Sequence, residues 1–193
     1  IVGQHTEMLG KHHKDGSKIG ETLLKVTDLS TDKGVQNVGF EVRRGEIVGL
    51  AGLMGSGRTE VTRALFGIDK ITGGKIELNG KPYTPKSAKD AMNNAVALVP
   101  EDRREQGLVV SHSVRNNLTL TRLNECETSG LLSNKKIMQM AEDLIGRFSI
   151  KVDDPGAPAS RLSGGNQQKI VIAKWLGRDP DLLIMDEPTA GVD

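Results

Sequence analysis

Gly52-Leu53-Met54-Gly55-Ser56-Gly57-Arg58-Thr59 is the stretch on which the reading of this chain turns. Ahead of it runs Ile47-Val48-Gly49-Leu50-Ala51, a continuous apolar run of the kind buried on both faces of a parallel sheet. Behind it Arg58 to Phe66 is helix-prone, so a glycine-rich turn is expected between a buried strand and a helix. That is the setting a phosphate-binding loop requires. Glycines let backbone N–H groups converge on phosphate oxygens, the helix N-terminus adds positive potential, and the Thr59 hydroxyl is suited to Mg²⁺. The pattern G-x-x-x-x-G-K-[ST] is met throughout except at Arg58, which stands where lysine is usual. Lysine is a compact point charge and guanidinium a wide planar fork, so phosphate binding is expected to survive the change better than transition-state placement. Taken alone, the stretch also reads as a plain tight strand-to-helix turn.

Working downstream, Leu182-Leu183-Ile184-Met185 is a short apolar run that ends in Asp186-Glu187. An acid at such a strand end can hold magnesium-bound water, and its neighbour can polarise the attacking water in phosphoryl transfer. By itself the run is equally a strand entering a loop; following a phosphate loop, it reads as the second half of a nucleotide site. Leu162-Ser163-Gly164-Gly165-Asn166-Gln167-Gln168-Lys169 opens a helix to about Leu176 and can present N–H groups and a hydroxyl to an anion, or serve as an ordinary N-cap. Between these lie further elements. Leu24, Val26, Leu29, Val38, Phe40 and Val42 alternate with polar residues and predict antiparallel strands. Lys75 to Lys81 reads as a hairpin turning at Asn79-Gly80, and Ala95 to Val99 as a buried strand. Val114, Leu118 and Leu123, then Ile137, Met140, Ala141, Leu144, Ile145 and Phe148, recur at helical spacing and predict an inserted helical subdomain. Residues 1–20 lack periodicity and read as a linker, with His5, His12 and His13 as solvated residues rather than metal ligands.

Composition bounds the partners. The 193 residues carry 26 Lys plus Arg against 25 Asp plus Glu, a net charge of +1, so no strong field favours nucleic acid or a membrane surface. Five aromatics leave little to stack single-stranded bases on, and no nucleic-acid partner is expected. Cys126 is the one cysteine, read as a surface or half-buried thiol. No apolar run approaches the length needed to cross a bilayer. The chain starts without Met and stops at Asp193 directly after a motif-like run, and reads as an excerpt of a longer protein.

The three motifs in this order, followed by Pro188-Thr189-Ala190-Gly191-Val192-Asp193, resemble the ATP-binding-cassette (ABC) ATPases over about Leu23 to Asp193. The resemblance implies an α/β fold: a P-loop NTPase (RecA-like) core, an N-terminal antiparallel β subdomain and an inserted α-helical subdomain at about 104–160. It implies a cassette spanning 21–193 with its C-terminal part missing. By the same resemblance, Gly52, Leu53, Met54, Gly55, Ser56, Gly57, Arg58, Thr59 and Glu101 contact ATP, and Thr59, Glu101 and Asp186 serve Mg²⁺. Glu187 is the implied hydrolytic residue. Ser163, Gly164, Gly165 and Asn166 belong to the signature motif, and Asp193 to the loop that crosses between paired cassettes.

Leu-Ser-Gly-Gly-Asn-Gln-Gln-Lys at 162–169, and Val99-Pro100-Glu101-Asp102-Arg103 with Gly107-Leu108-Val109, resemble the second cassette of the sugar-importer branch (ribose, galactose or xylose). That branch implies an energy-coupling ATPase on the cytoplasmic face of the plasma (inner) membrane, peripheral to it. Its implied partners are a first cassette of the same polypeptide or a second subunit, integral-membrane permease subunits and, indirectly, a periplasmic or extracellular solute-binding protein. Family cassettes pair head to tail, so Ser163 would complete the partner's site, and these 193 residues alone are expected to turn over little. Departures stand beside the resemblance: Arg58 for lysine, Glu101 for the usual glutamine, no aromatic among residues 30–36 to stack adenine, and no histidine after His112. A nucleoside importer and a non-hydrolysing regulatory module are the alternatives; an Asn-Lys-x-Asp base-reading element, which a GTPase would carry, is absent from the sequence.

Overall fold

The protein is described by a computed structural model over residues 19–188. It divides into two compact units, with the cut between Val96 and Ala97. In the first, β1 (Thr22–Thr31), β2 (Val38–Arg43), β3 (Ile71–Leu78) and β4 (Lys81–Pro82) form an antiparallel sheet in the order β2-β1-β3-β4. Leu24, Val26 and Leu29 of β1 are buried, and the odd step from 26 to 29 in the apolar series has a structural answer. Strict alternation would put Leu29 on the wrong face. The register shifts between Val26 and Leu29, Asp28 takes a left-handed φ of 51°, and the bulge returns Leu29 to the core. Gly74 on β3 accommodates that bulge: at φ +87° its absent Cβ would lie 2.4 Å from the Asp28 carbonyl oxygen. The expected hairpin turns at Asn79 and Gly80, both with positive φ (53° and 70°), the backbone that a two-residue turn between twisted strands demands.

Helix α1 (Arg58–Leu65) buries Val61, Thr62, Ala64 and Leu65, one face at helical spacing. In its last turn Arg63 grips Asp69 through two bonds of 2.9 and 3.0 Å, and the buried Tyr83 hydroxyl donates to the Leu65 carbonyl at 2.8 Å. Helix α2 (Ala88–Asn93) starts on Ser87, whose hydroxyl accepts from the Asp90 N–H.

The apolar run 47–51 departs from expectation. It forms no strand, and Ile47 is 93% exposed. A doubly buried strand exists only where ladders run along both of its edges, and among the described residues 47–51 has no ladder partner. An apolar series states a tendency to be covered; it does not supply the cover.

The cut falls within β5 (Val96–Val99), which is buried along its length as its sequence predicts and runs into the second unit. Helix α3 (Val114–Thr119) packs on α4 (Asn134–Arg147) and α5 (Gly164–Leu176) around Val114, Leu118, Ile137, Ala141, Leu144, Ile170 and Val171. Asn117, buried in α3, accepts from the Val109 N–H at 2.8 Å and donates to the carbonyls of Val109 and Ser113, which fixes the loop before the helix. A 3₁₀ stretch, Leu120–Cys126, then a hairpin of β6 (Glu127–Thr128) and β7 (Leu131–Leu132), interrupt what the sequence reads as continuous helical periodicity. Its turn residues, Ser129 and Gly130, both have positive φ. Cys126 corrects a second expectation: it is fully buried rather than surface or half-buried, because this hairpin folds it against Met140, Sγ to Sδ 3.9 Å, and burial raises its thiol pKa. Strand β8 (Leu182–Met185) hydrogen-bonds beside β5.

Candidate functional site

The glycine-rich loop lies in the first unit. Gly55 and Gly57 have φ of +78° and +92°, conformations that a side chain would strain. Gly52 meets a different demand, since a Cβ there would stand 2.3 Å from the Ser56 hydroxyl. The Ser56 N–H donates to the Leu53 carbonyl at 3.0 Å, closing the turn. Gly57 is the N-cap of α1 and brings no capping side chain, so the first-turn N–H groups of the helix point outward from an exposed loop. Leu53 and Met54 are exposed, and Thr59 is half-buried at the first turn. Arg58 folds back over the loop, its Cδ 3.8 Å from the position a Cβ of Gly52 would take.

The other described residues predicted from the sequence lie in the second unit, at the start of α5, at the end of β8 and just past β5. Ser163 caps that helix, its hydroxyl accepting from the backbone N–H of Asn166 at 3.4 Å and from the Asn166 amide at 3.1 Å. Asn166 in turn accepts from the Lys151 N–H at 2.9 Å. Gly164 and Gly165, both half-buried, form the first turn between them. At the end of β8, Asp186 is buried and its N–H donates to the Val99 carbonyl at 2.9 Å. Glu187 is exposed and has a left-handed φ of 42°. Glu101 is exposed just past β5, where the Asp102 carboxylate accepts from the N–H groups of Arg104 (2.8 Å) and Glu105 (3.0 Å) and starts a π-helical turn, Arg103–Gly107. Asp193 lies outside the described residues, as do His5, His12 and His13.

A phosphate loop, a serine-capped Ser-Gly-Gly helix and an Asp-Glu strand end, in this order along one chain, agree with the profile of the ABC transporter family, which matches residues 35–190. The chain belongs to the ABC transporter family. It is 47% identical over 180 residues to a putative ribose/galactose/methyl galactoside import ATP-binding protein of Rhizobium meliloti, covering 93% of this chain and 36% of that protein. It is 43% identical over 193 residues to the ribose import ATP-binding protein RbsA of Shouchella clausii, covering all of this chain and 38% of that one. The chain thus spans little more than a third of the length of these relatives. Among solved structures it resembles cbiO1 of Clostridium perfringens, part of the ABC transporter complex cbiONQ, with a TM-score of 0.68 and 27% identity, covering 89% of this chain and 68% of that one. The P-loop NTPase fold with an antiparallel sheet is that of an ABC cassette.

What sequence reasoning missed in this ABC cassette is how much the signature helix holds in place. Gln167 is fully buried; its amide donates to the Ala159 and Leu162 carbonyls, both at 3.1 Å, and its oxygen accepts from Arg104 Nε at 3.2 Å. The buried Gln168 donates to the Pro188 carbonyl at 3.1 Å. Lys174 is buried with its ammonium donating to the Gly107 carbonyl and lying 5.6 Å from the Trp175 ring; desolvation lowers its pKa to about 8. The signal was available as polar residues at core positions of an apolar helix, since a buried polar side chain must find partners. Among the described residues no three His, Cys, Asp or Glu side chains converge as a metal cage. Thr59 in the first unit and Asp186 in the second each carry an oxygen donor of the kind hard cations take.

Proposed function

We propose that the chain is an ATP-binding and ATP-hydrolysing cassette, the energy-coupling part of an ABC importer for a monosaccharide of the ribose, galactose or xylose kind. The observation that carries this reading is the Ser163-capped signature helix tied to the Glu101 loop and to the Asp186-Glu187 strand end, in a chain whose relatives bear ribose and galactose import names. Residues 52–59 would cradle the phosphates through backbone N–H groups, with Arg58 adding charge. Thr59 and Asp186, with Glu101 nearby in sequence to Asp186's neighbour β5, would hold Mg²⁺, whose role when bound is to neutralise phosphate charge.

In the hydrolytic step Glu187 takes a proton from water. The water oxygen bonds to the γ-phosphorus, the bond from phosphorus to the β–γ bridging oxygen breaks, and ADP and phosphate leave, the proton passing to solvent. Ser163, Gly164, Gly165 and Asn166 would serve the γ-phosphate of a paired cassette, and Asp193 the loop between the two. The domain reading follows: a linker over 1–20, and one cassette over 21–193 whose helical insertion at about 104–160 meets a permease on the cytoplasmic face of the membrane. A non-hydrolysing site is the second reading, favoured by Arg58 standing where lysine is usual and by the lack of an aromatic among residues 30–36.

The test is Glu187→Gln in the full-length subunit, with any other cassette silenced by the same change at its own hydrolytic glutamate. The expected outcome is a loss of turnover of about a hundredfold or more with Mg-ATP binding retained. No turnover in the parent with other cassettes silenced would leave the non-hydrolysing reading standing, and turnover unchanged by Glu187→Gln would overturn the role given to Glu187.

A further inference from the structure

The left-handed backbone at Glu187 calls for an explanation. A residue with a side chain takes φ near +42° only when its surroundings hold it there, in a turn or bulge or where a side chain must be aimed. The chain is fastened on each side of this residue, by different elements. Upstream, the Asp186 N–H donates to Val99 on β5. Downstream, the Pro188 carbonyl accepts from Gln168 Nε2 on α5. Gln168 is 6% exposed, so its amide is committed to this bond with little competition from water. Four residues of helix backbone separate Gln168 from Ser163, the cap of the same rigid element.

We propose that Gln168 is a positioning residue for hydrolysis: by pinning the Pro188 carbonyl to the signature helix it fixes the left-handed turn that aims the Glu187 carboxylate. The link ties the strand end that carries Glu187 to the helix that carries Ser163, so a shift of α5 is felt at Glu187. Gln168 touches no reacting atom in this account. It sets the direction of a neighbour that does, and a small misalignment of a proton acceptor is enough to slow the step. The inference rests on the assignment of Glu187 made above.

The experiment measures Mg-ATP hydrolysis by the full-length subunit with other cassettes silenced as before. Gln168→Leu removes the donor, and Gln168→Glu keeps the shape while setting an oxygen against the carbonyl. Both are expected to lower kcat about tenfold or more and to leave KM for Mg-ATP within about twofold, with the melting temperature of Gln168→Leu close to that of the parent and that of Gln168→Glu lowered by its buried carboxylate. In a Glu187→Gln background the same two changes are expected to produce no further loss, because there is no carboxylate left to aim. A kcat unchanged in both variants, a rise in KM with kcat intact, or the same proportional loss in the Glu187→Gln background would each overturn the proposal. If Glu187→Gln abolishes turnover while both Gln168 variants remain fully active, this inference alone falls. If Glu187→Gln leaves turnover intact, the assignment of Glu187 falls first and takes the inference with it.

Discussion

Lys174 shows what burial does to a single charge. An ordinary lysine titrates at 10.5, and desolvation brings this one to about 8. Between those values the unfolded chain holds the proton and the folded chain does not, so the contribution of this group to stability is lowest below about pH 8, rises with pH through the window, and levels off above about 10.5. Lys174→Met removes the titration. Urea midpoints measured for parent and variant should therefore diverge between about pH 8 and about pH 10, the parent gaining about 2 kcal/mol on the variant; a parallel course would show that Lys174 titrates normally. Arg58 poses the opposite case, an exposed-loop charge whose backbone cradle is intact. Arg58→Lys is expected not to reduce turnover of the full-length subunit, and a loss of about tenfold or more would mark the guanidinium as a tuned group.

Among the elements, α5 has at its N-cap, Ser163, a structural role and, in the function proposed above, a second one toward a paired cassette. Ser163→Ala removes the cap and should cost about 1 kcal/mol of stability, read from thermal or urea unfolding. Ser163→Arg would place a long cation where a paired cassette's γ-phosphate must dock, and is expected to abolish uptake and hydrolysis with a smaller effect on folding. Normal activity in Ser163→Arg would refute the cross-site assignment. The elements were legible wherever the pattern was local. Asn79-Gly80 announces its turn through backbone preference, Ser163 its helix through capping, and Val96–Val99 its burial through an unbroken apolar run. Residues 47–51 carry the same apolar signal and form no strand, since a ladder is a property of two strands and the sequence of one segment cannot supply its partner. The hairpin at 127–132 was hidden because two-residue strands leave no periodicity to read, although Ser129-Gly130 is a turn dipeptide. Gln167, Gln168 and Lys174 look like polar interruptions of a helix until their distant partners at Leu162, Pro188 and Gly107 are in place.

At the scale of the molecule, the function proposed above takes the phosphate loop from one cassette and the signature from another, and this chain brings one of each. Hydrolysis by the 193-residue chain alone should be slow, and its rate per mole should climb as the protein is concentrated, because a second copy must supply the facing Ser163; phosphate release followed over a dilution series checks this, and a rate per mole independent of concentration would contradict it. The stacking of Lys174 on Trp175 offers a way to watch such an encounter. Trp175 is the only tryptophan in the chain, it is nearly buried, and it sits at the far end of the helix that Ser163 begins. Indole emission from this protein is therefore a one-voice optical report on the signature helix, coloured by the ammonium beside the ring, and nucleotide or a partner arriving at Ser163 can be followed in the light of a residue thirteen positions along, counting Ser163 as the first.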